Sequence, residues 1–138
     1  MEYLWSRFRL NQMLRTVILV AIGGAIGSVL RYMTSVFVNR HYAHIYPLAT
    51  FITNIVGCFL IGIFVGWLSR NQVGDPGLKW FLITGFCGGY TTFSAFGLEN
   101  VSLLQSGHSG WAFVYISASV IAGLAAVWGG MMLMKQLL

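Results

Sequence analysis

Between Thr16 and Met134 the sequence divides into four apolar stretches, approximately Thr16 to Val38, Pro47 to Ser69, Leu78 to Leu104 and Trp111 to Met134. Each is near the roughly 20 residues that a helix needs to cross the hydrocarbon of a bilayer. The connectors, around Asn39 to Tyr46, Arg70 to Gly77 and Gln105 to Gly110, leave no room for a soluble domain. Composition agrees. Of the 138 residues 57% are hydrophobic and only 8% charged, against about a quarter charged in an ordinary soluble domain. The fold expected is all-α, with four membrane-spanning helices and a leading tail, residues 1–14, that mixes aromatic residues with arginines and suits either the membrane interface or a disordered extension.

The third stretch is too long for one straight helix, and within it lies Gly85 to Gly97, GFCGGYTTFSAFG. Adjacent glycines at Gly88 and Gly89 weaken a helix, while the hydroxyls of Thr91, Thr92 and Ser94 can satisfy backbone groups that a break sets free. Two half-helices joined by an irregular link near Gly88 to Thr92 are therefore expected. Irregular backbone at membrane depth persists only where protein or a water-filled cavity covers it. An ion or substrate path and a kink that serves packing both fit the local sequence.

The net charge is +5. Its basic residues lie dispersed beside the apolar stretches, which fits membrane flanks and not a nucleic-acid surface. Arg7, Arg9, Arg15, Arg70, Lys79 and Lys135 fall on the side that holds the termini, and Arg40 on the other. A single cytoplasmic orientation of the termini follows from that bias. The first stretch continues past Gly27 to Val38 and is longer than the apolar core of a secretory signal. Cys58 and Cys87 fall within spans, where packing suits them better than a disulfide or a metal. His41, His44 and His108 sit in connectors as ordinary surface residues.

Polar residues inside a span are costly and by default functional candidates. Arg31, in the first span, and Glu99, in the third, carry opposite charges and are candidates for mutual neutralisation. Asn54 stands mid-span, flanked by Thr50 and Thr53, and its amide can donate to an anion or tie two helices together. Tyr115, Ser119 and Gly123 recur at intervals of four, placing two hydroxyls above a glycine on one helical face. Phe93 and Phe96, three apart, share a face. Paired phenylalanines pack, yet their ring edges are electropositive and can also attract an anion. Gly23 with Gly27, and Gly62 with Gly66, form small-xxx-small pairs that permit close helix approach. Four helices alone hardly enclose a polar pathway, so at least a dimer is expected.

As a set these residues resemble the small fluoride channels of the Fluc or CrcB family. GGAIGSVLRY, Gly23 to Tyr32, is similar to the family's first-helix glycine and arginine signature. PLATFITNIVGCFLIG, Pro47 to Gly62, resembles its second-helix segment around a pore asparagine, and GFCGGYTTFSAF, Gly85 to Phe96, its third-helix break. Ala49, Ala95, Gly97 and Gly123 depart from residues that relatives often carry there. The resemblance implies an antiparallel, dual-topology homodimer in a bacterial inner membrane, with two fluoride pathways and passive export of fluoride. It implies Asn54, Phe93 and Phe96 along the path, Thr50, Tyr115 and Ser119 as further polar lining, Arg31 in the vestibule and Glu99 as a candidate modulator. It also implies a structural sodium ion (Na+) held by the backbone carbonyls of Gly88 and Thr91. The antiparallel arrangement conflicts with the charge bias above.

No nucleotide-binding or catalytic motif is present, so no enzymatic activity is expected. Two rivals differ in chemistry. A small multidrug antiporter needs a membrane carboxylate early in the chain, where this sequence places Arg31. A non-transporting assembly subunit would use the same glycines and phenylalanines for packing alone.

Overall fold

A computed structural model describes residues 2–42, 47–71 and 75–137, and the side chains of all of these but residues 2–9. Every regular element among the described residues is helical. Helix α1 runs from Glu2 to His41 and α2 from Leu48 to Arg70. The third span begins as α3 (Pro76–Lys79), widens into a π-helical segment over Trp80–Cys87 and closes as α4 (Gly88–Tyr90). After Thr91 and Thr92 it resumes as α5 (Phe93–Gln105), and α6 (Ser109–Leu137) completes the chain. Four helices, Leu10–His41, Leu48–Arg70, Pro76–Gln105 and Ser109–Leu137, are long and apolar enough to cross a membrane. Helix α1 extends without interruption into the leading segment. His44 lies outside the described residues.

The elements start and stop for local reasons. Asp75 caps α3 by accepting from the Gly77 amide at 2.9 Å, and Pro76 occupies the first helical position, where its missing N–H costs nothing. The Asp75 carboxylate also meets the Arg15 guanidinium at 3.0 Å, the one ion pair among the described residues. Helix α5 ends in a Schellman turn. Gly107 adopts φ 80°, so that the His108 amide reaches the Leu103 carbonyl at 2.9 Å and the Gly107 amide the Leu104 carbonyl at 3.2 Å.

Glycines set how closely the spans approach, because lipid offers apolar helices no hydrophobic reason to associate and packing must do the work. Helix α1 lies against the π-helical segment and α4. A methyl group added at Gly23 would stand 2.5 Å from the Phe81 carbonyl oxygen, and one at Gly27 would meet the Phe86 carbonyl oxygen. Helix α2 makes its broadest contact with α6. There Gly62 faces the Val127 carbonyl and Gly130 the Phe59 carbonyl, again with no space for a methyl group. Both small-residue pairs of the sequence are thus contact points.

The break falls within the expected Gly88 to Thr92 link, at its threonine end and not at its glycines. Gly88 and Gly89 remain helical, and the extended residues are Thr91 (φ −84°, ψ 159°) and Thr92 (φ −149°, ψ 120°). Gly89 is used for proximity, since a methyl group there would lie 2.5 Å from the Gly24 carbonyl oxygen. The threonines carry the break because their side chains and a neighbouring amide supply the hydrogen bonds that the helix forgoes.

Candidate functional site

Asn54, in the second turn of α2, brackets the interruption. Its Nδ2 donates to the Thr92 carbonyl at 3.1 Å, and the Thr92 amide donates to its Oδ1 at 2.8 Å. Gly57, one turn along α2, leaves the space that the Thr91 methyl group fills. Thr91 turns its hydroxyl back to the Cys87 carbonyl at 2.9 Å, and Thr92 caps α5 by accepting from the Ala95 amide at 3.2 Å. In an unbroken helix the Thr92 N–H would serve the Gly88 carbonyl and the Ala95 N–H the Thr91 carbonyl. Here both donors go to side chains, so Gly88 and Thr91 present carbonyls deprived of their helical partners. The intervening Gly89 carbonyl accepts from Ser28 Oγ at 3.4 Å.

Beside the break is a cavity of about 300 Å³. Asn54, Phe93, Phe96 and Ser119 line it together with Thr91 and Cys58. The Ser119 hydroxyl is buried without a hydrogen-bond partner among the described residues. The rings of Phe93 and Phe96 are 5.8 Å apart and tilted by 38°. Phe93 is 83% exposed in the single chain, and the cavity beside it opens to the surface. Phe96 is partly buried and packs on Tyr115, ring to ring at 5.1 Å.

Thr50 and Tyr115 serve a second cluster. Thr50 donates to Glu99 Oε1 at 2.6 Å and Tyr115 to Glu99 Oε2 at 2.9 Å. Both hydroxyls are therefore directed at a carboxylate from α2 and α6, one on each of its oxygens. This arrangement also corrects the expectation that Arg31 neutralises Glu99: the two form no ion pair, because Glu99 is held by hydroxyls instead. Arg31 is only partly exposed on α1, apart from both clusters.

Four of the six residues proposed for the path thus share one cavity, and the other two meet at Glu99 beyond Phe96. Sequence reasoning assigned Cys58 to packing and not to the cavity it lines, although its position one turn after Asn54 puts both on one face of α2. It also passed over Asn100, which is 6% exposed and donates to the Phe96 carbonyl at 2.8 Å. Asn100 lies in the middle of α5, and its place inside the third span is the signal that could have found it. Cys87 is fully buried and Cys58 partly so, and neither forms a disulfide.

Comparison with known proteins adds an independent line. Residues 18–131 match the family described as CrcB-like protein, Camphor Resistance (CrcB). A Flavobacterium psychrophilum protein named fluoride-specific ion channel FluC is 52% identical over 124 residues, covering 90% of this chain and 100% of the relative. A protein of the same name from Azobacteroides pseudotrichonymphae is 50% identical over 115 residues, covering 83% of this chain and 92% of the relative. Another, from Rhizobium etli, is 45% identical over 120 residues, covering 87% and 96%. With its broken third span and the residues matched along nearly its whole length, this chain belongs to the CrcB family.

Proposed function

We propose that the protein is a fluoride-selective channel that lets fluoride leave the cell passively, down its electrochemical gradient. The observation that carries this reading is the cavity beside the break, where Asn54, Ser119, Phe93 and Phe96 converge. Fluoride is small and strongly hydrated, so its passage requires donors that replace its water. Asn54 Nδ2 bears two hydrogens and uses one on Thr92, which leaves a second for the anion. Ser119 supplies an unclaimed hydroxyl. The positive edges of Phe93 and Phe96 add weak attraction without a deep cationic trap, which suits an ion that must also depart. The relatives named as fluoride channels support the choice of ion.

Thr50 and Tyr115 act on this path through Glu99, whose oxygens they occupy, and Glu99 in turn sits one turn beyond Phe96 as a modulator of it. Arg31 raises the local concentration of anions at the vestibule. The working unit is a homodimer of antiparallel subunits in the bacterial inner membrane. Its support is the exposed ring of Phe93 beside the cavity, which a second subunit would cover.

A structural sodium ion fits the break. Sodium takes hard oxygen ligands, and the carbonyls of Gly88 and Thr91 have both lost their helical donors to side chains. Gly88 lies exposed on the surface of the chain, where a second subunit's carbonyls can complete the ligand set. The ion would offset repulsion among these carbonyl dipoles and brace the dimer. Fluoride efflux from liposomes that contain only the purified protein tests the channel reading.

A further inference from the structure

We infer that Asn54 is a positioning residue for the cation site as well as a donor to the anion, because it holds the Gly88 carbonyl free. The inference rests on the sodium reading above and adds a coupling between α2 and the break. A helix that continued past Tyr90 would direct the Thr92 N–H to Gly88. The Asn54 Oδ1 takes that N–H at 2.8 Å, and its Nδ2 fixes the Thr92 carbonyl at 3.1 Å, so one amide holds both polar groups of a single residue. Nothing within the third span performs this. Thr91 still donates to Cys87 at 2.9 Å as a helical residue would, and the helical pattern stops at the residue that Asn54 grips. Thr92 then extends the effect to Thr91, since its hydroxyl captures the Ala95 N–H at 3.2 Å. Two side-chain acceptors therefore replace two carbonyls, and the carbonyls released are the pair assigned to sodium.

Asn54→Leu removes both halves of the grip, whereas Asn54→Asp keeps an acceptor for the Thr92 N–H and loses the amide donors. Two readouts on the purified full-length protein separate the roles: hydrogen exchange at the Thr92 amide, and the rise in melting temperature when sodium replaces N-methylglucamine. Asn54→Leu is expected to speed Thr92 exchange and weaken the apparent sodium affinity by about tenfold or more, the scale of one lost buried hydrogen bond. Asn54→Asp is expected to keep Thr92 protected and sodium effective while fluoride flux falls. Should Asn54→Leu not fold, Thr92→Ala against Thr92→Ser tests the same scheme at the second acceptor, with the loss of sodium response expected in alanine and its return in serine. Wild-type protection at Thr92 and an unchanged sodium response in Asn54→Leu, or an equal response in Thr92→Ala and Thr92→Ser, would overturn the inference. If the wild type itself shows no sodium response, the sodium reading fails, and Thr92 exchange alone decides whether Asn54 holds the break.

Discussion

Thr50 and Glu99, on α2 and α5, are joined by a hydrogen bond of 2.6 Å, and Tyr115 of α6 completes the pair at 2.9 Å on the other carboxylate oxygen. Three helices thereby meet at one side chain within the membrane-spanning region. Thr50→Val and Tyr115→Phe each preserve shape while removing one donor, and each is expected to cost ~1–3 kcal/mol of stability. The double variant leaves Glu99 without either donor and is expected to exceed the sum of the singles by ~0.5 kcal/mol or more. Thermal unfolding of the purified variants checks this, and strict additivity would mean that the two hydroxyls act independently.

The two phenylalanines separate packing from electrostatics. Phe93→Ile and Phe96→Ile keep apolar bulk and abolish the ring quadrupole, whose interactions are worth ~0.5–1.5 kcal/mol. Fluoride flux is expected to fall several-fold in each, with the dimer intact by size-exclusion chromatography. Phe93 gives the cleaner answer, since it is exposed in the single chain, whereas Phe96 also packs on Tyr115. Normal flux in both variants would remove the ring edges from the mechanism.

Close approach of α2 and α6 yields a paired prediction, with one glycine on each helix. Gly62 abuts the Val127 backbone, whereas Gly129 has nothing within 4 Å of an added methyl group. Gly62→Ala is expected to lower stability by ~1–3 kcal/mol through overpacking, and Gly129→Ala to change it little. Thermal unfolding of both variants provides the comparison.

Orientation has its own test. Six basic residues flank one side of the spans and Arg40 alone the other, a bias that by itself favours one orientation. An antiparallel dimer requires both. Gly110, at the start of α6, has open space around it. A cysteine introduced there is expected to react with a membrane-impermeant maleimide from both faces of the membrane in equal measure, and labelling from one face alone would exclude the antiparallel arrangement.

Much of this architecture is legible in the sequence, because apolar length and small-residue spacing act locally. Gly23 with Gly27 and Gly62 with Gly66 announce close contacts, and those contacts form. The break is legible to within the Gly88 to Thr92 link, but which of those residues carry it is not. Two adjacent glycines mark weak helix, yet Gly89 serves to press against Gly24, and the interruption lies at Thr91 and Thr92. What decides it is a hydrogen bond from Asn54, far along the chain, and no local propensity encodes a partner that distant. The same limit explains Glu99, whose opposite charge suggested Arg31 while tertiary placement gave it Thr50 and Tyr115 instead. Where a residue's partners lie within one helical turn the sequence is informative; across helices it names candidates only.

A fluoride-selective electrode recording from liposomes containing only this protein decides whether the cavity beside Thr92 conducts the ion proposed for it. With a potassium ionophore to balance charge, liposomes loaded with fluoride are expected to release it rapidly, while matched liposomes loaded with chloride retain theirs. Vesicles that hold correctly assembled dimer and stay tight to fluoride, or that release both anions alike, would contradict a selective fluoride pathway.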